Sequence, residues 1–128
     1  MKDLKTILAG IQSRITEYQK KIEANKNLAE KDYMRFFVTG ATDTYILHYK
    51  IKQLSVLIPD DEEEFDASTL QELLEGRIEV FENALLERPL MAASTNPMHN
   101  KANELELEAM QDLRRLYKSL LKTLNGKS

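Results

Sequence analysis

The stretch LKTILAGIQSRITEYQKKI, residues 4–22, decides the fold. Within it Leu4, Leu8, Ile11, Ile15, Tyr18 and Ile22 recur at spacings of 4, 3, 4, 3 and 4. That rhythm puts one apolar stripe along an α-helix and does not fit the two-residue period of a strand. It is also the rhythm of a coiled-coil seam. Three heptads are the least such a seam needs, and packing inside one antiparallel bundle explains the spacing equally well. Asp3 is placed to cap the start. Asn25-Lys26-Asn27 predicts the first break, and Asn27 with Glu30 reads as a capping-box variant that opens the next helix.

Working outward, the second helix is expected to run to Ile58 and to stop at Pro59. Tyr33, Phe36, Phe37, Tyr45, Ile46, Leu47, Tyr49, Ile51, Leu54, Leu57 and Ile58 make it apolar around much of its circumference. A helix of that kind is normally central, and a buried partner interface gives the same pattern. An acidic loop, Pro59 to Asp66, follows. Ser68 with Gln71, or Thr69 with Glu72, can then cap a third helix with the stripe Leu70, Leu74, Ile78, Phe81 and Leu85, ended by Pro89. Asn96-Pro97 is a helix start with Asn as cap and Pro at the first helical position. The fourth stripe is Leu105, Ala109, Leu113, Leu116, Leu120 and Leu124, closed by Asn125-Gly126. The expected fold is therefore all-α: an antiparallel four-helix bundle with helices at roughly 3–24, 28–58, 68–87 and 97–124, forming a single helical domain over 1–128.

Composition supports this and removes several functions. The chain has 128 residues, 42% apolar, with 4 Gly and 3 Pro, too few turn formers for a many-stranded β fold. No run approaches the ~20 apolar residues of a membrane span. There is no Cys and there are 2 His, which excludes disulfides, thiolate metal sites, cysteine nucleophiles and a three-His metal site. The first residues lack the features of a signal peptide, and a cytoplasmic location is expected.

Met34-Arg35-Phe36-Phe37-Val38-Thr39-Gly40-Ala41-Thr42 looks like the first strand and glycine turn of a short-chain dehydrogenase. That turn needs further glycines beside the pyrophosphate. Asp43, Thr44 and Ile46 stand there instead, and the alternating strands of a parallel sheet are missing. Residues 39–44 remain the poorest helix formers inside any expected helix. Three readings follow: a kink or split with Thr42 or Asp43 as cap, a small-residue face of Gly40, Ala41 and Thr44, or a polar pocket formed by Thr39, Thr42, Asp43 and His48.

Chemistry is otherwise sparse. His48 lies among aromatics and reads as a structural histidine. Asp43 is five residues away, off the face that would orient its ring. His99 sits at a solvated helix start. Neither a zinc-protease helix nor a Walker loop is present. The acidic loop fails as an EF-hand, with Phe65 where Gly is required and Gln71 in place of the bidentate Glu. No metal, cofactor or catalytic set is expected, and the chain reads as no enzyme.

Charge is more informative. Residues 1–58 hold 10 basic and 6 acidic side chains, residues 59–100 hold 2 and 11, and residues 101–128 hold 6 and 4. A net charge of −3 thus conceals segments of +4, −9 and +2. Glu72, Glu75, Glu79 and Glu82 form a row on the third helix. It can face solvent, pair with Arg115, Lys118 and Lys122, or join Asp61 and Glu63 as a docking surface. Lys20, Lys21, Lys26, Lys31 and Arg35, near Tyr18 and Tyr33, make only a small basic face for phosphate, so direct nucleic-acid binding is not expected. The reading is a protein–protein interaction module that acts as an adaptor or regulator and self-associates as a homo-oligomer. Two alternatives stand beside it. One is a small phage-type or bacterial inhibitor that covers a basic surface of a nucleic-acid enzyme with the Glu row and acidic loop. The other is a bundle holding a small ligand near Thr39–Thr44 and His48.

Overall fold

Each helical rod begins on a short acidic or amide side chain that fills free N–H groups of its first turn. The structure, a computed structural model, describes residues 3–60 and 65–126, and no strand occurs among them. Helix α1 (Leu4–Lys31) starts on Asp3, which accepts from the Lys5 N–H at 3.0 Å. Asp32 starts α2 (Tyr33–Arg35), accepting from the Arg35 N–H at 3.2 Å. A π-helical turn (Phe36–Gly40) then leads into α3 (Ala41–Ser55), with right-handed helical backbone at Arg35, Phe36, Gly40 and Ala41, so the three segments form one continuous rod. Asp66 caps α4 (Ala67–Glu87), accepting from the Thr69 N–H at 2.8 Å and its hydroxyl at 2.9 Å. Asn96 caps α5 (Pro97–Leu124), and Gly126, at φ 78°, closes it in the left-handed conformation that favours glycine.

Four rods make an all-α bundle, as the periodicity predicts, with shifted boundaries. α1 does not break at Asn25-Lys26-Asn27 but runs on to Lys31. The amide of Asn25 donates to Asp43 Oδ2 at 2.9 Å and to Thr44 Oγ1 at 3.0 Å, so this residue ties two helices together instead of ending one. The turn comes at Asp32. The cap of α4 is Asp66, two residues before Ser68 and three before Thr69. Pro89 lies within a short 3-10 turn (Arg88–Leu90) that follows α4.

Side-chain pairs fix the helix directions. Asn25 meets Asp43 and Thr44, and Lys50 lies over the Tyr18 ring, so α1 and α3 are antiparallel. Arg88 meets Asn103 while Glu82 meets Arg114 and Lys118, so α4 and α5 are antiparallel too. These two hairpins join where α3 lies beside α5. Tyr45 donates to Glu106 at 2.8 Å, Lys50 to Asp112 at 2.9 Å, and Tyr117 to the Gln53 carbonyl at 2.9 Å. Both members of each pair advance together, so α3 and α5 run parallel, as alternate members of an up-down-up-down bundle do.

The core is concentrated below the Tyr45–Glu106 pair. Its α1 members are Ile7, Ile11 and Ile15, spaced four apart, with Leu4, Leu8 and Tyr18 only partly buried beside them. Leu54 and Leu57 come from the end of α3 and the turn after it, Leu70, Leu74, Ile78 and Phe81 from α4, and Met110, Leu113 and Tyr117 from α5. Tyr117 is absent from the leucine stripe of the sequence, yet it is fully buried, with its ring 5.4 Å from that of Phe81.

Two measurements test this packing. A Cβ at buried Gly40 would stand 2.8 Å from Phe36 Cδ1, whereas one at Gly76 on α4 meets nothing within 4 Å. Gly76→Ala is expected to stabilise the bundle by about 0.5–1 kcal/mol through helix propensity, and Gly40→Ala to lower the urea midpoint. A gain at both positions would show that the close approach at Gly40 is absent. Burial also holds the Tyr117 phenol above its ordinary pKa. The folded state keeps that proton after the unfolded chain has lost it, so this stability is present below about pH 10 and is lost as pH rises above it. Tyr117→Phe should cost about 1 kcal/mol at pH 7 for the missing hydrogen bond. Between about pH 10 and 12 its urea midpoint should fall less steeply than that of the parent; equal slopes would contradict the buried hydroxyl.

Candidate functional site

The four residues of the expected polar pocket are not gathered around one space. The Thr39 hydroxyl donates to the Arg35 carbonyl at 2.8 Å and that of Thr42 to the Thr39 carbonyl at 3.4 Å, so both are engaged by their own helix. Asp43 accepts from Asn25. His48 lines a shallow cavity of about 480 Å³ that also touches Thr44, Tyr45, Tyr49, Lys52 and Glu106 and does not include Thr39, Thr42 or Asp43. At its edge Glu106 accepts from the Tyr45 hydroxyl and lies 3.4 Å from Arg88. That contact with Glu106, helped by desolvation, raises the Tyr45 pKa, and burial raises that of Tyr49. Both phenols are therefore neutral donors at ordinary pH. Neither is prepared to act as a base.

The small-residue reading of 39–44 describes the backbone better. Gly40 is buried where α1 passes, and an added Cβ would lie 3.6 Å from Asn25 Oδ1. Neither Thr42 nor Asp43 caps a second half, because the π turn passes into α3 without leaving helical geometry.

The Glu row divides. Glu82 lies 3.6 Å from Arg114 and 3.8 Å from Lys118, so this pairing between α4 and α5 is internal. Arg115 turns instead to Asp112 at 3.9 Å. Glu72, Glu75 and Glu79 are exposed, and among the described residues no cation reaches them; Glu75 accepts only from Gln71, at 3.0 Å. Asp61 and Glu63 lie outside the described residues. On α1 and α2, Lys20, Lys21, Lys26, Lys31 and Arg35 are all exposed, and Lys21 lies over the Tyr18 ring. Among the described residues no group of three or more acidic or histidine side chains is arranged to hold a metal, and no helix is long and apolar enough to cross a membrane.

The feature that periodicity did not isolate lies at the end of the bundle above Tyr45 and Glu106. Beyond Ile15, α1 has no buried residue, and α2 with the π turn packs closely only on α1 among its non-sequential neighbours. Tyr33, Met34, Phe37 and Val38 are between 65% and 70% exposed there. The α4–α5 hairpin turns at the same end, and its Leu86, Leu90, Met91 and Met98 are between 69% and 86% exposed. No hydrogen bond or ion pair among the described residues joins the two hairpins above the Tyr45–Glu106 pair. One end of the molecule therefore presents eight large apolar side chains on two hairpins. The unbroken run Tyr33-Met34-Arg35-Phe36-Phe37-Val38 was the available signal, since one helical face cannot bury all of it.

The pairing on α4 can be measured. Glu82→Gln should lower stability by up to about 1 kcal/mol, and the loss should shrink at high salt, as for a surface ion pair. Glu72→Gln and Glu79→Gln should leave it within about 0.5 kcal/mol. Equal losses in all three would place Glu72 and Glu79 in internal pairs as well. In comparisons with known proteins, no family model, no curated protein and no solved structure matches this chain.

Proposed function

We propose that the chain acts without catalysis, as a helical protein–protein interaction module that binds through the apolar end of its bundle. The observation that carries this reading is the exposure of Tyr33, Met34, Phe37 and Val38 beyond a core that is already filled by all four rods. Apolar surface left in water forgoes roughly 25 cal/mol per Å². Scattered exposed leucines need no explanation, but a patch of several hundred Å² marks a contact surface. Aromatic and Met side chains are also the types enriched at such contacts. The sparse chemistry of the cavity at His48 and the neutral phenols beside it give catalysis no comparable support.

A second reading has its own observation. Glu72, Glu75 and Glu79 stand exposed along α4 with no cation among the described residues paired to them, which suits an inhibitor that covers a basic surface of a nucleic-acid enzyme. One experiment separates the two. A photo-crosslinking amino acid is placed at position 37 or at position 79 of the full chain in its native cell. Protein adducts from position 37 alone are the expected result, and adducts from position 79 alone transfer the contact to the acidic face. Absence of adducts at both positions overturns the interaction module.

A further inference from the structure

We infer that the occupant of the apolar end is a second copy of the same chain, docked end to end about a two-fold axis. This rests on the interaction reading and specifies its partner. Area is the first argument. Taking roughly 150 Å² for a large side chain, the exposed fractions of the eight residues present on the order of 800 Å² per copy. A standard stable interface buries about 800 Å² on each partner. Nothing else among the described residues offers apolar surface on this scale.

Charge is the second argument. A two-fold contact sets every residue against the same surface of its mate, so a strongly charged end would repel itself. Residues 26–38 carry three basic and two acidic side chains, and residues 86–104 carry two of each. This end is close to neutral. Among the described residues, acidic side chains gather elsewhere, on Glu72, Glu75 and Glu79 of α4 and at Asp60 and Asp66 between α3 and α4. Among the described residues, the apolar end is thus the one large apolar surface on which two copies can meet without a charge penalty. A contact of the basic residues of one copy with the acidic row of another would be heterologous and would propagate instead of closing.

The absence of cysteine makes the symmetry directly testable. Light scattering on the full chain over a concentration series is expected to show a species of twice 14.8 kDa, with little change between about 50 and 500 mM salt, because its contact is apolar. Phe37→Glu places a like charge on both sides of the axis and should weaken the dimer at least tenfold, with the circular dichroism spectrum unchanged. Single cysteines at Tyr33, Phe37, Leu90 and Met98 should include at least one that oxidises to a covalent dimer, whereas Glu79→Cys should not. A mass that climbs past the dimer and falls with salt, or a dimer untouched by Phe37→Glu and linked only through position 79, overturns the inference. A monomer at every concentration also overturns it; the crosslinks from position 37 then show whether the interaction reading itself survives.

Discussion

One buried hydroxyl ties the two hairpins together inside the core. Tyr117 comes from the C-terminal half of α5, and its ring is wholly buried, so its hydroxyl must find an acceptor inside the protein. The end of α3 supplies one. There the Leu57 N–H bonds to the Leu54 carbonyl, which tightens the last turn, and the Gln53 carbonyl accepts from Tyr117. Helix ends always leave carbonyls in need of donors, and this one is met from another helix. The side chain of the same glutamine accepts from Arg77 of α4, whose guanidinium lies over Phe81. Three helices are thus fixed at one residue, and the apolar layers above and below can fill in one register only.

From that junction the rest of the architecture follows by distance. Near it, all four rods contribute fully buried or nearly buried side chains. Going toward Tyr45 and Glu106, polar pairs flank the buried Leu47, Leu105, Ala109 and Met110: Lys50 with Asp112, then Tyr45 with Glu106 and Arg88. Farther still, no hydrogen bond or ion pair among the described residues joins the hairpins, and large apolar side chains stand exposed. Surface pairs of this kind add little net stability, and their value lies in holding the parallel helices in step. Stability and exposed apolar surface are therefore kept at opposite ends of the same molecule, so residues can be committed to contact at one end without weakening the core at the other.

Much of this was legible in the sequence. The Asn96-Pro97 start, the stripe through Leu70, Leu74, Ile78 and Phe81, and the Asn125-Gly126 stop describe what the chain does, because each depends on local backbone chemistry. The periodicity of 4–22 gives a helix, but its buried face is Ile7, Ile11 and Ile15, with Leu4, Leu8, Tyr18 and Ile22 only partly covered. The misplaced break had a physical cause. Asn25 has the composition of a helix end, but its amide is used by Asp43 and Thr44, a contact no local rule can foresee. Tyr117 was missed because leucines flank it at 116 and 120 in a regular stripe, and only the neighbour Phe81 shows why the ring goes inside. The Glu row was visible as a row, but its division into a paired Glu82 and free neighbours depends on where Arg114 and Lys118 come to lie. The apolar end was half legible: the aromatic excess on the second rod was plain, and its position beyond the core was not.

The π turn at Phe36–Gly40 has a consequence for rotational phase. Its hydrogen bond from Ala41 N–H to the Phe36 carbonyl encloses one residue more than an α-helical turn. Since each residue of an α-helix advances about 100° around the axis, everything before the turn is swung by roughly that angle relative to α3. Phe36 is brought in against Gly40, and Phe37 is sent outward. Were a residue removed between 36 and 40, the same aromatic sequence would present another side, with the lower bundle unaltered. The rod is in effect a shaft with a keyed coupling, and the identity of the outward residues is set by chain length across one turn.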